Sequence, residues 1–175
     1  VNTARIYAAS SVNTVYLYDD LGTQRWSHSH SKWDSDYIRV DMPDNGLSVV
    51  AVNDDPANSP GCVLCYWNDG GNGWSSDDST PVWTFDPQPP SGDTDFYSVA
   101  ISGNGEYIAT GSFVGSYVFS STSNVPLQTF DLGCAQSYDL TFNGQFGACG
   151  NREGEVWCFS KDSSTPLWSY SVGGI

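Results

Sequence analysis

The sequence predicts an all-β fold, made of four repeated units of four short strands, with the first unit lacking its inner strand. Three observations predict this fold. One short phrase recurs four times, and apolar residues alternate with polar ones along the strands that precede it. Gly and Pro, 18 and 9 in number, also interrupt the chain too often for long helices.

The recurring phrase marks the last strand of each unit. Its copies are GTQRWSHS (22–29), STPVWTFD (79–86), NVPLQTFD (124–131) and STPLWSYS (164–171). Aligned on Trp26, Trp83, Gln128 and Trp168, the copies are 57, 45 and 40 residues apart. Self-similarity at such intervals indicates a repeat architecture.

Three further strands precede the phrase in a complete unit. The nearest is an apolar run ending in an aromatic residue: VYLY (15–18), VLCY (63–66), YVF (117–119) and VWCF (156–159). Before it comes a segment of small and β-branched residues: RIYAAS (5–10), LSVVAV (47–52), EYIATGS (106–112) and QFGACG (145–150). In the innermost strand, apolar and polar residues alternate, and the strand ends at an Asn-Gly turn: IRVDMPDNG (38–46), YSVAISGNG (97–105) and YDLTFNG (138–144). Asn-Gly between alternating runs is a strong hairpin signal, so we expect fifteen strands in all.

Four-stranded units at such intervals are typical of β-propeller blades. YSVAISGNGEYIATGS (97–112) resembles the first half of a WD-type repeat. VYLYDDLGTQRW (15–26) and GEVWCFSKDSSTPLW (154–168) resemble the strand-turn-Trp segment of pyrroloquinoline-quinone-like propeller repeats. The resemblance covers nearly the whole chain and concerns architecture, because propellers carry many unrelated functions. We expect one domain, 1–175, with units at 1–31, 32–90, 91–134 and 135–175.

The resemblance also implies a role for the repeated tryptophan. In quinone-type repeats the outer-strand Trp docks against a neighbouring blade, which implies a structural role for Trp26, Trp83 and Trp168. Gln128 breaks the pattern. None of the four units has the Gly-His pair or the closing Trp-Asp pair of a WD repeat. The vicinal cysteines of quinone enzymes are also absent from the sequence, so the resemblance implies no cofactor.

Charge excludes several classes of partner. Twenty acidic residues against six basic ones give a net charge of −14, which repels nucleic-acid phosphates and anionic lipid. No apolar run is long enough to insert into a membrane. An acidic, Ser/Thr-rich surface is common on secreted proteins, so we expect an extracellular or cell-surface location. The chain begins at Val1 without an initiator Met or a signal-like segment, so we expect a processed or excerpted chain.

Residues that could carry catalysis are scarce. The two histidines, His28 and His30, are better explained as incidental than as a metal pair. No Ser-His-Asp order, phosphate loop or close carboxylate pair can be argued. We therefore expect a protein that is not an enzyme.

Two insertions in the second unit, NDDPANSPG (53–61) and WNDGGNGWSSDD (67–78), are the candidate cation sites. Each could hold calcium through carboxylates and carbonyls, although the ligand pattern of an EF-hand is absent. The candidate ligands are Asp54, Asp55, Asp69, Asp77 and Asp78. Because the two insertions are expected on opposite faces of the propeller, they form no joint site.

The five cysteines give a weak signal, because an odd number leaves at least one thiol outside any intramolecular pair. Cys62 and Cys65 are expected on opposite faces of one strand, which argues against a redox or zinc pair. Cys65 and Cys158 stand at equivalent positions and are interpreted as small core residues. Whether Cys134 and Cys149 form a bridge stays open.

Two classes of function remain. The first is a structural or interaction module that forms a homo-oligomer, a ring or a filament, through its blade flanks or strand edges. The second is a ligand-binding propeller, such as a glycan-binding one that uses exposed Trp33 and Trp74; a fragment of a quinone-dependent enzyme is a distant third. Trp33 and Trp74 have no counterparts in the later units, which favours the first class. Either the chain is part of a longer one, or copies complete one another.

Overall fold

The computed structural model confirms the all-β prediction. It describes residues 6–11, 13–29, 37–54, 62–68, 74, 76–87, 95–113, 115–131 and 135–173. These residues form fifteen strands and one turn of 3₁₀ helix at Ser76–Ser79. Within these ranges, no helix is both long and apolar enough to cross a membrane.

Among the described residues, the strands form four antiparallel sheets in the order of the chain, and only the first of these has no inner strand there. Sheet one contains β1 (Ile6–Ser11), β2 (Thr14–Asp19) and β3 (Gln24–Ser29). Sheet two contains β4 (Tyr37–Asp41), β5 (Ser48–Asp54), β6 (Val63–Trp67) and β7 (Trp83–Phe85). Sheet three contains β8 (Phe96–Ile101), β9 (Tyr107–Ser112), β10 (Gly115–Ser120) and β11 (Gln128–Phe130). Sheet four contains β12 (Ala135–Leu140), β13 (Phe146–Asn151), β14 (Glu155–Ser160) and β15 (Ser163–Ser171).

The Asn-Gly turns join the first and second strands of sheets two to four. Their glycines take positive φ angles of 64°, 78° and 66° at Gly46, Gly105 and Gly144. At Gly144 a β-carbon would also overlap the ring of Tyr107 in sheet three. Glycine is therefore required there both by the turn and by the approach of the neighbouring sheet.

Successive turns are also hydrogen-bonded to one another. The backbone N–H of Asp44 donates to the carbonyl of Gly103 at 3.0 Å. The N–H of Asn104 donates to the carbonyl of Phe142 at 2.8 Å. The inner rim of the array is thus tied together from sheet two to sheet four.

The sheets pack face to face, each against the next in sequence, as a propeller-like array. Strand alternation gives each interior sheet two apolar faces, so Cys62 lies in the core between sheets one and two and Cys65 in the core between sheets two and three. A third, smaller core separates sheets three and four. Within the described ranges, substantial packing joins only sheets that are consecutive in the chain, and none joins sheet one to sheet four.

Trp74 belongs to the first of these cores, and the prediction that it is exposed was wrong. Its side chain is only 6% exposed. The indole N–H donates to the carbonyl of Gly46 at 2.8 Å, and the ring lies 5.7 Å from that of Trp26. The segment after β6 therefore returns this ring to the seam between sheets one and two.

Trp74→Ala should lower the free energy of unfolding by about 3–5 kcal/mol, because it removes a buried ring and leaves a cavity. Trp168→Ala, at a side chain that is 53% exposed, should change it by about 0.5 kcal/mol or less in dilute solution. Urea denaturation followed by circular dichroism measures both values. Equal losses in the two variants would contradict the placement of these rings.

Candidate functional site

The interface between sheets two and three shows how one sheet docks on the next. The ring of Trp83 lies 5.6 Å from that of Phe119, and its indole N–H donates to the carbonyl of Ser121 at 2.7 Å. Phe85 lies edge-on to Tyr117, with ring centroids 5.1 Å apart. Aromatic pairs in this geometry stabilise a contact beyond the area that they bury.

Two further side chains of sheet two take part in the same contact. The thiol of Cys65 lies 3.6 Å from the carbonyl of Ser121, and a carboxylate oxygen of Asp41 accepts the backbone N–H of Ile101 at 2.8 Å. The strand register places four residues side by side across sheet two, and we call them the docking row: Asp41, Val50, Cys65 and Trp83.

Sheet four repeats the docking row almost unchanged. Its register aligns the following residues across β12, β13, β14 and β15: Asp139, Ala148, Cys158 and Trp168. Three of the four residue types are the same as in sheet two, and the fourth differs only in the size of an apolar side chain. Sheet four thus carries nearly the same residue types with which sheet two binds sheet three.

This row lies on the face of sheet four that points away from sheet three. Alternate residues of the same strands, among them Tyr138, Trp157 and Phe159, face sheet three and pack in the third core. We call the outward surface the open fourth face; it consists of Asp139, Phe146, Ala148, Val156, Cys158, Trp168 and Tyr170. It is the largest group of exposed apolar side chains on one sheet face of the described chain.

Trp168 therefore differs from its equivalents. Trp26 is 4% exposed and lies 5.0 Å from Tyr66 of sheet two, and Trp83 packs on sheet three as described above. The resemblance implied that Trp168 also docks on a neighbouring blade, but it is half-exposed in this structure. The reason is topological, because sheet four has no following sheet among the described residues.

Burial shifts the pKa values of the titratable groups in the docking row of sheet two. Desolvation raises the pKa of the Cys65 thiol to about 12, so it stays protonated and acts as a donor. Desolvation also raises the pKa of Asp41, helped by the charge of Asp139 and opposed by hydrogen bonds from the N–H groups of Ile101 and Met42. Docking thus buries a carboxylate whose main compensation is a backbone donor of the next sheet.

The predicted calcium ligands do not form a described site. Asp55 and Asp69, and the side chains of Asp54 and Asp77, lie outside the described part of the chain. Asp78 is buried. Among the side chains that the structure describes, no three His, Cys, Asp or Glu residues are grouped as a metal site. Calcium binding therefore stays a prediction.

The other candidates give a similar result. Trp33 and His30 lie outside the described residues. The Nδ1 atom of His28 lies 2.8 Å from the carbonyl of Ser79 in the 3₁₀ turn, and its ring lies 5.6 Å from that of Tyr66 in sheet two. It thus belongs to the packing between sheets one and two.

Sequence reasoning named Trp168 and Cys158 but missed Asp41 and Asp139. A signal was present, because each aspartate lies four residues before the Asn of its Asn-Gly turn. The equivalent residue of the third unit is Ala100, which hides the pattern.

Comparisons with known proteins add no family to these observations. No protein-family model matches the chain, and no curated protein matches it at a significant level.

The raised pKa of Asp41 predicts a pH-dependent difference between the wild type and Asp41→Asn. An aspartate with a raised folded-state pKa stabilises the fold most below its ordinary pKa of about 3.9, and that contribution is lost as the pH rises through the folded-state value. The free energy of unfolding of the wild type relative to the variant should therefore fall between the ordinary pKa and the folded-state pKa. It should level off at higher pH. Urea titrations at several pH values measure it, and a difference that rises with pH would contradict the desolvation argument.

Proposed function

We propose that this chain is a non-enzymatic structural and interaction module of the cell exterior that self-associates through the open fourth face. The observation that carries the proposal is the repeat of the docking row on a surface where Trp168 is half-exposed. The same row in sheet two binds the next sheet through an aromatic ring contact, a thiol contact and two hydrogen bonds. A second copy of this chain offers sheets of the same construction.

The composition of the face supports this proposal. Repeat arrays that stay monomeric cover their terminal units with polar outer faces. The open fourth face instead exposes Phe146, Val156, Trp168 and Tyr170 together. Contiguous apolar surface of this kind is typical of protein interaction sites.

Charge directs the contact to this face. The chain carries a net charge of −14, which opposes random association of copies. Only Asp139 is charged among the residues of the open fourth face. Docking there buries apolar area and places few like charges against one another.

An extracellular location is compatible with the thiols. Burial raises the pKa of Cys65 to about 12 and that of Cys149 to about 11, and both side chains are buried. Thiols without thiolate character react slowly with oxidants, so these residues would persist in an oxidising environment. The acidic, Ser/Thr-rich composition supports the same location.

The glycan-binding alternative rested on two exposed tryptophans. Trp74 is buried and hydrogen-bonded to the backbone, so it offers no free ring face to a sugar. Trp33 lies outside the described residues. Self-association is therefore the proposal that the described surface favours.

Sedimentation velocity over a range of concentrations tests self-association. The wild type should show a mass above the 19.0 kDa monomer as the concentration rises. Trp168→Asp should weaken association about 30-fold, because a central Trp contributes about 2 kcal/mol or more to an interface. Phe113→Asp is the matched control, since Phe113 is an aromatic residue of similar exposure, 55%, in the turn between β9 and β10.

Each result of this experiment decides the proposal. A wild type that stays monomeric at high concentration would overturn it and favour the ligand-binding alternative. An effect of Phe113→Asp equal to that of Trp168→Asp would show that the open fourth face is not the contact.

Association should also strengthen with added salt. Two copies that each carry −14 repel one another, and this repulsion is screened as the Debye length falls from about 30 Å at 0.01 M salt to about 10 Å at 0.1 M. The contact itself is apolar and loses little by screening. Sedimentation at these two ionic strengths measures the change, and weaker association at the higher one would point to ion pairs instead.

A further inference from the structure

We infer that the surface that receives the open fourth face is the outward face of sheet one in a second copy of the chain. This inference rests on the proposed self-association and names the partner surface. Each internal interface has a receiving side, which is the surface of a sheet that packs against the docking residues of the preceding sheet. This receiving side has a counterpart on sheet one.

The receiving side can be aligned residue by residue. Residues 11–20 match 112–121 without a gap, and both hairpins have the same register, with Ser11 opposite Thr14 and Ser112 opposite Gly115. Tyr16 therefore takes the place of Tyr117, and Tyr18 that of Phe119. The backbone of Asp20 takes the place of Ser121, whose carbonyl accepts the indole N–H of Trp83.

The position of Tyr18 is aromatic in all four sheets. Its equivalents are Tyr66, Phe119 and Phe159, which are 0%, 0% and 1% exposed because a preceding sheet covers each of them. Tyr18 has no preceding sheet among the described strands and is only partly buried. Tyr18 thus occupies the position of the aromatic residue that packs against a preceding sheet, but no described sheet covers it.

Neighbouring side chains extend this surface. Tyr7 lies opposite Tyr18 and Ala9 opposite Tyr16 in the register of β1 and β2. The rings of Tyr16 and Tyr18 stack with centroids 6.2 Å apart. We call Tyr7, Ala9, Tyr16 and Tyr18 the open first face; it points away from Val15, Leu17 and Trp26, which pack on sheet two.

The two open faces match as the internal interfaces do. Trp168 takes the place of Trp83, which packs against Phe119, so it meets Tyr18 of a second copy. Tyr170 stands where Phe85 meets Tyr117, so it meets Tyr16. The indole N–H of Trp168 and the thiol of Cys158 then reach the carbonyl of Asp20.

One part of the internal contact has no counterpart. Asp41 accepts the N–H of Ile101 in an inner strand, whereas the innermost described strand of sheet one is β1. Asp139 therefore contributes little to the contact. Strands β14 and β15 of sheet four and the β1–β2 hairpin of sheet one therefore supply most of the binding.

A contact between two different faces is heterologous, so each copy has one donor face and one receiving face. Such contacts form a ring when the rotation closes and a filament when it does not. Both assemblies are directional. An isologous dimer, in which the same face meets itself, has a different response to mutation.

A mixing experiment separates these cases. Trp168→Asp blocks the open fourth face, and Tyr18→Asp blocks the open first face. Each variant alone should sediment at the 19.0 kDa monomer mass, while an equimolar mixture should reach twice that mass and no more. Phe113→Asp mixed with either variant is the control. It keeps both open faces, so it should still associate.

Each other outcome overturns the inference in a recognisable way. If Tyr18→Asp still forms a homodimer, the open fourth face binds itself; the proposed function stands and this inference fails. If Trp168→Asp forms a homodimer, the open first face binds itself, and both the proposed function and this inference fail. A mixture that stays monomeric while the wild type associates also rejects the pairing. Circular dichroism checks that each variant folds, and Tyr170→Asp and Tyr7→Asp, at exposed positions, replace any variant that does not.

Discussion

Packing of an outer-strand aromatic ring against a third-strand aromatic ring of the next sheet is the interaction on which this structure depends. The ring centroids are 5.0 Å apart for Trp26 and Tyr66, and 5.6 Å apart for Trp83 and Phe119. No single sheet can bury both of its apolar faces alone, so each needs a neighbour to become stable. The stability of the array is therefore close to a sum of contacts between consecutive sheets.

The contact between sheets three and four satisfies the same constraint with different residues. Gln128 stands in the place of the tryptophan, and Phe130, two residues later, lies 5.3 Å from Phe159. Two of the six basic residues reinforce this interface: Arg152 lies 5.4 Å from the ring of Tyr97 and Lys161 lies 5.1 Å from that of Tyr107. Cation–π contacts thus add to the packing of an interface that has no outer-strand tryptophan.

The strands and their order could be predicted from the sequence because the repeated segments align with one another and the Asn-Gly turns fix the hairpins. The faces of Cys62 and Cys65 followed from strand alternation alone. The burial of Trp74 did not, because it depends on the path of an insertion with no repeat to compare. The exposure of Trp168 was missed for a related reason: a repeat pattern gives the position of a residue, but whether a neighbour covers it depends on how the array is arranged in space.

Because each sheet packs only against its neighbours, the packing also determines which sheets unfold locally first. Sheets two and three are covered on both faces, whereas sheets one and four are covered on one face each in the described structure. Local unfolding should therefore be easiest at the two outer sheets, and the central strands should form the slowest-exchanging foldon. Since the open faces lie on those outer sheets, binding between copies would be linked to their folding by mass action. Heating would then loosen the outer sheets and dissociate assemblies before the central pair of sheets melts.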